Sequence, residues 1–365
     1  MGFLWDNPMS IDIADLQDEV NEIRANALSE SSRKAYEDAI VRQLMFYLEY
    51  EPQIISVHLR DIFFAEFAEL EVFANENTEQ ASRRQRKAME LFIRQYLKQA
   101  PSNPPIAFEE MTSDLFIKYI ATMRNKKGDK PGISTFRGQR TGLFNLFRMY
   151  GLTLSNQLSM ELTRDYQGLG RLTALRVTNG EGNITSGKDP MDFSLYKFIA
   201  HAQLKSDQNQ QIFGHCFLSL TWNLMCRAGS CSTICFKHLE WREDALCVYF
   251  AHMKNDQTGS KKRDPRHVYA NPVMPSCCPI TALGIYLLCF DINTNGKLFP
   301  GSAQYERFRK ILNKVLKASC LHELKSRGFT PEDIGTHSIR KGATSYCSGG
   351  STAGPSGTAI NLRGG

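Results

Sequence analysis

No Lys or Arg precedes Arg24 in this 365-residue chain, while Asp6, Asp12, Asp15, Asp18, Glu19 and Glu22 crowd the same stretch. Residues 1–28 therefore read as an acidic lead-in with a short helical piece around 11–23, and lack the basic-then-apolar layout of a secretory signal. No cysteine occurs before Cys216, and the ten in the chain include no C-x-x-C pair. That spacing argues against a zinc site, and without secretion a disulfide framework is not expected. The cysteines read as small, reduced core residues. No apolar run approaches the roughly 20 residues that span a bilayer. Complete G-x-x-x-x-G-K-[ST], G-x-G-x-x-G and H-E-x-x-H motifs are also absent. These absences lead to an expectation of an intracellular protein, nuclear where the host is eukaryotic, with no cofactor, no metal and no membrane partner.

What is present is ordinary globular composition, 42% hydrophobic and 22% charged, in a chain long enough for two domains. The net charge of +6 is a mild lean toward polyanions, but its distribution says more. Basic residues concentrate at 83–98, 124–148 and 254–266.

Helical spacing of Tyr36, Ile40, Leu44, Tyr47 and Leu48 predicts a helix capped near Ser31 and stopped before Pro52. A second is predicted over 59–74 (Phe63, Phe64, Phe67, Leu70, Phe73) and a third over 79–99. In the third, Arg83, Lys87, Arg94 and Lys98 line one stripe, and Ala88, Met89, Phe92 and Tyr96 the opposite one. Further helices at 112–124 and 134–150 flank a basic loop containing Lys126 and Lys127, and the later one carries Arg137, Arg140 and Arg148. Residues 29–177 thus read as an all-α domain whose basic faces suit double-stranded DNA, and the Gly- and Asn-rich run within 178–188 as a linker.

Residues 189–365 form the second domain in this reading. A strongly apolar helix at 211–226 ends on Arg227, and a further helix is expected to run to about Leu239. Alternation over 240–253 predicts one strand, followed by turn chemistry at Lys254–Gly259 and a partner strand around 266–271. The fold class is mainly α with a small antiparallel β-hairpin or sheet. Near the end, Gly335-Thr336 reads as a turn and cap opening a helix, which sets His337 and Arg340 on one face. An imidazole and a guanidinium at a helix N-terminus suit a phosphate. Arg227, amid Met225, Cys226 and Ala228, is a permanent cation in apolar surroundings, which asks for an anion.

An Arg leaving a helix, a hairpin Lys, then H-x-x-R in that order resembles the tyrosine recombinase (phage-integrase-like) family. Cys226-Arg227-Ala228-Gly229-Ser230 through His238-Leu239-Glu240-Trp241 is similar to its first-arginine region, and Pro279-Ile280-Thr281-Ala282-Leu283 to its P-x-x-A-L helix. Leu298-Phe299-Pro300 resembles its L-F-P, and His337-Ser338-Ile339-Arg340 its H-x-L-R box, in a flavour closest to eukaryotic mobile-element recombinases. The resemblance covers roughly 190–365 and gives 29–175 the place of a core-binding domain. It implies metal-free DNA cleavage and rejoining through a 3′-phosphotyrosyl link. Arg227 and Arg340 would clamp the phosphate, His337 would serve proton transfer, and Lys254 would act as general acid. Lys261 and Lys262 on the same hairpin would grip DNA, and the protein would work as a homo-oligomer on DNA.

Two departures qualify that resemblance. Ser230 stands where the family has an acidic residue. Leu362-Arg363-Gly364-Gly365 resembles the turn that precedes the family's last His or Trp and its nucleophilic tyrosine, which would both lie past Gly365. Tyr346 sits on the H-x-x-R helix and matches no nucleophile position. The expectation is a site without its nucleophile: a fragment, a truncated product, a degenerate copy, or a protomer served in trans. The alternative function is a non-catalytic DNA-binding protein on the same scaffold.

Overall fold

The computed structural model describes residues 16–67, 79–125, 128–181, 187–250, 264–291, 293, 295–349 and 355–364. The chain divides into two compact units between Ile184 and Thr185. Leu70 and Phe73 of the predicted second helix, and Lys126, Lys127, Lys254, Lys261 and Lys262, lie outside the described residues.

The first unit is helical: α1 (Leu16–Ala25), α2 (Glu30–Tyr50), α3 (Val57–Phe67), α4 (Glu79–Leu97), α5 (Ser113–Thr122), α6 (Ile133–Met149) and α7 (Asn156–Thr178). Short polar residues set the starts. Ser29, Thr112 and Ser155 each accept a backbone N–H from the first turn of α2, α5 and α7. The apolar stripe Ile40, Leu44, Tyr47 and Leu48 of α2 is buried, as its spacing predicts. α2 packs on α6 at Gly142, where a Cβ would stand 2.5 Å from that of Ala39, so only glycine permits the approach. Beside it the buried Gln43 amide donates to the Gln139 carbonyl at 2.8 Å, and Tyr119 Oη donates to Gln139 Oε1 at 2.8 Å. These bonds pair polar groups across the core, while Gln43 Oε1 and Tyr150 Oη are buried without a hydrogen-bond partner among the described residues.

The second unit contains α8 (Phe193–Leu204), α9 (Asn209–Asn223), α10 (Ala228–Cys231), β1 (Leu239–Arg242), β2 (Ala245–Val248), β3 (Arg266–Tyr269), α11 (Pro279–Cys289), α12 (Gln304–Ala318), α13 (Leu321–Ser326), α14 (Thr336–Gly349) and α15 (Gly357–Gly364). α9 is the axis of the unit and is buried on nearly every side from Phe213 to Trp222. α8, α11, α12 and α14 surround it. Each fully buried Phe or Leu there contributes roughly 1.5–3 kcal/mol, which is why an all-round apolar helix settles at the centre.

The fold is mainly helical and, among the described residues, has one three-stranded antiparallel sheet in the order β1-β2-β3. Two local readings differ from the sequence expectation. The stretch expected as one strand is a hairpin: β1 and β2 pair around Glu243, whose φ of 51° turns the chain. The turn at Glu243-Asp244 is charged and carries no glycine, asparagine or proline, so the usual hairpin signals do not mark it. The helix expected to reach Leu239 stops at Cys231. Beyond it the Ile234 carbonyl accepts from the Leu298 N–H and Cys235 bridges to Lys297, so long-range pairing replaces helix continuation.

Candidate functional site

The candidate site assembles at the end of α9. The helix stops at Asn223, and Met225 adopts a left-handed φ of 48°. Arg227 is extended, at φ −71° and ψ 142°, directly before α10. Arg227 therefore leaves a sharp reversal rather than the end of the helix that sequence alone suggests. Its side chain is half-buried. Among the described residues no carboxylate forms an ion pair with it; the carboxylates of Asp192 and Glu323 in this unit instead hold Arg327.

α14 delivers the other two residues. Its start is tied down: the Gly335 N–H donates to Ser338 Oγ at 2.9 Å, and the Met191 N–H to the Ser338 carbonyl at 2.9 Å. Tyr305 Oη and Thr336 Oγ1 lie 3.2 Å apart. With this first turn fixed, His337 is exposed and Arg340, one turn on, is half-buried. Burial lowers the Arg340 pKa, and the positive charge of Arg227 lowers it further. Arg227 and Arg340, far apart in the chain, are thus brought within electrostatic reach of one another. Tyr346, on the same helix, stacks its ring on Phe193 at 4.4 Å, which gives it a packing role.

Two residues that sequence reasoning missed stand beside them. Arg266 is buried, with its guanidinium 4.7 Å from the Phe250 ring centre. Burial pushes its pKa down to about 10, against the opposing pull of Cys226, and Arg363, Arg340 and Arg227 lower it as like charges. Arg363 is lowered as well, chiefly by burial. Four cations therefore share one region, an arrangement that concentrates positive potential for an anion. A signal for Arg266 existed: it is two residues before Val268 on β3, so both face inward. The Cys226 thiol lies in the same field. It is lowered by its hydrogen bond to Cys231, then, against the opposing effect of burial, by Arg266 and Arg340.

The basic residues of the helical unit divide in two. Arg83, Lys87 and Lys98 of the α4 region and Arg137 and Arg148 of α6 are exposed. Arg94 instead bonds Glu37 at 3.1 Å and Asp38 at 2.5 Å. Arg140 lies over the rings of Phe144 and Tyr166, at 5.0 and 5.3 Å, and donates to Thr163 Oγ1 at 2.8 Å. These two face into their own unit.

Gly182 to Lys188 has the G-x-x-x-x-G-K spacing of a phosphate loop, but Asp189 follows where a hydroxyl is needed. The Lys188 amine donates to the Glu332 carbonyl. Among the described residues no cluster of His, Cys, Asp and Glu could hold a metal ion, and no helix is long and apolar enough to cross a membrane.

No family model matches the chain, and no curated protein matches it. Among solved structures, the chain is similar to the XerH site-specific recombinase bound to palindromic difH substrate in a post-cleavage complex, at 11% identity and a TM-score of 0.42, covering 92% of this chain and 93% of that one. It is also similar to a lambda integrase dimer bound to a COC′ core site, at 11% identity and a TM-score of 0.43, covering 96% of this chain and 85% of that one.

Proposed function

We propose that this chain acts on double-stranded DNA as a tyrosine recombinase, in strand cleavage and rejoining. The observation that carries the reading is the convergence of Arg227 and Arg340, from separate elements, into one cationic site beside an exposed His337 at a helix start. The ordered motif set from Arg227 to Arg340 supports it.

In this reading a tyrosine hydroxyl attacks the scissile phosphorus. The new O–P bond forms as the bond to the 5′-oxygen breaks, leaving a 3′-phosphotyrosyl link. Negative charge gathers on the non-bridging oxygens, and the guanidiniums of Arg227 and Arg340 answer it. His337 serves the proton of the attacking hydroxyl, and Lys254 gives a proton to the departing 5′-oxygen. No residue of 1–365 is assigned the nucleophile's part. Exposed Arg83, Lys87, Lys98, Arg137 and Arg148, with Lys126, Lys127, Lys261 and Lys262, supply backbone contacts, while Arg94 and Arg140 hold the helices that carry them. The protein works as a homo-oligomer on DNA. A mobile-element origin and a nuclear place of action belong to the same proposal.

The test is duplex binding measured across salt concentration. Binding that weakens steeply with salt, and weakens further in Arg227→Ala and Arg340→Ala, supports the reading; salt-insensitive or absent binding overturns it.

A further inference from the structure

Arg266 and Arg363 take no part in the proposed chemistry, yet both reach the same few backbone atoms. Arg266 Nη1 donates to the Leu224 carbonyl at 2.7 Å. Arg363 Nη2 donates to the Asn223 carbonyl at 2.9 Å and to the His267 carbonyl at 2.7 Å. Asn223 is the last residue of α9 and Leu224 its C-cap. Terminal carbonyls of a helix lack intrahelical donors and carry partial negative charge, so a cation is the natural partner there. Here two cations arrive from different elements, β3 and α15.

Their position matters because the chain reverses just beyond Leu224. Met225 takes a left-handed φ that a side chain disfavours, and Arg227 emerges two residues later. A reversal of this kind persists only when its surroundings fix it. Backbone bonds close the turn, from the Met225 N–H to the Trp222 carbonyl at 3.0 Å and from the Cys226 N–H to the Thr221 carbonyl at 3.3 Å, and the two guanidiniums tie its Asn223 and Leu224 carbonyls to α15 and β3. Arg363 also spans from α9 to the backbone of β3, so α15 fastens the sheet to the helix end.

We infer that Arg363 and Arg266 are positioning residues for the phosphate site: they lock the end of α9 and so aim Arg227. Arg363 makes α15 part of the support of that site. The inference rests on the reading of Arg227 as a phosphate ligand.

The test uses the full chain and a random-sequence duplex of about 30 base pairs, with affinity measured across salt for Arg363→Met, Arg227→Ala and the double variant. Melting curves of each protein accompany the titrations. Arg363→Met is expected to weaken binding by about five- to tenfold, Arg227→Ala by a similar factor, and the double variant no more than Arg227→Ala alone. Arg363→Lys, a point charge without the two-pronged fork, should recover part of the affinity and serves the same cycle if Arg363→Met does not fold. Multiplying losses would mean that Arg363 touches DNA itself and would overturn the inference. So would a lowered melting temperature with unchanged affinity, the mark of a merely structural anchor. A wild-type chain without salt-dependent binding, or Arg227→Ala with wild-type affinity, would instead strike the functional reading and take the inference with it.

Discussion

Gly342 lies so close to Met191 that a Cβ on it would stand 1.7 Å from the Met191 carbonyl oxygen. This contact seats α14 against the segment leading into α8, and the helix that carries His337 and Arg340 rests on it. The Met191 N–H completes the seat by donating to the Ser338 carbonyl at 2.9 Å.

Gly342→Ala must therefore push α14 away from Met191. Overpacking against rigid backbone costs about 1–3 kcal/mol or more, and the atom met here is backbone rather than a flexible side chain. Thermal melting should show the loss, and DNA affinity should fall with it because Arg340 moves. A variant that melts like the wild type would refute the close approach.

Removal of either clamp residue should change the salt dependence of binding as well as its strength. Each lost phosphate contact lowers the slope of log affinity against log salt by about 0.9 on a duplex. Arg227→Ala and Arg340→Ala are each expected to show that decrement. Equal slopes for wild type and both variants would separate these arginines from the DNA backbone.

In the helical unit, Arg83 and Arg94 sit on one helix with different expected roles. Arg83→Ala should weaken DNA binding and lower melting less than Arg94→Ala does, because its side chain is exposed. Arg94→Ala should destabilise by on the order of 1 kcal/mol, since it breaks a two-carboxylate ion pair with Glu37 and Asp38. Melting and binding measured on both variants decide it; the reverse pattern would exchange their roles.

Asp192 gives a pH dependence with a definite sign. Burial raises its pKa, but hydrogen bonds from Ser194 and the Leu195 N–H, together with Arg327, outweigh that and hold it below the usual carboxylate range. Its contribution to stability is therefore present above the unfolded value, about pH 4, and is lost as pH falls through the depressed folded value. The melting-temperature gap between wild type and Asp192→Asn should be widest near neutrality and close in acid. A gap that stays constant from neutral to acid pH would show that the carboxylate charge does not matter. Asp192→Ala also removes the cap of α8, which Asn can keep, and should cost about 1 kcal/mol more than Asp192→Asn.

A suicide DNA substrate should give no covalent adduct with residues 1–365. If an adduct forms, Tyr346→Phe tests the tyrosine on α14: persistence of the adduct would point to a different nucleophile.

The sequence by itself determined the helices and their buried stripes. The spacing of Ile40, Leu44 and Tyr47 is a local signal that survives packing, whereas the cap of α2 is Ser29, two residues before the Ser31 expected. It also pointed to Arg227, His337 and Arg340 through spacing and order. Tertiary structure decided what local pattern cannot encode. The β1–β2 hairpin at Glu243 and the early end of α10 depend on cross-strand and long-range backbone pairing. The internal engagement of Arg94 and Arg140 depends on carboxylates and rings from other helices, which a helical wheel does not show. The same holds for Arg266 and Arg363. Each looks like an ordinary basic residue until folding brings the carbonyls of Asn223 and Leu224 within reach, because a hydrogen bond at 2.7 to 2.9 Å joins atoms that only the packed chain makes neighbours.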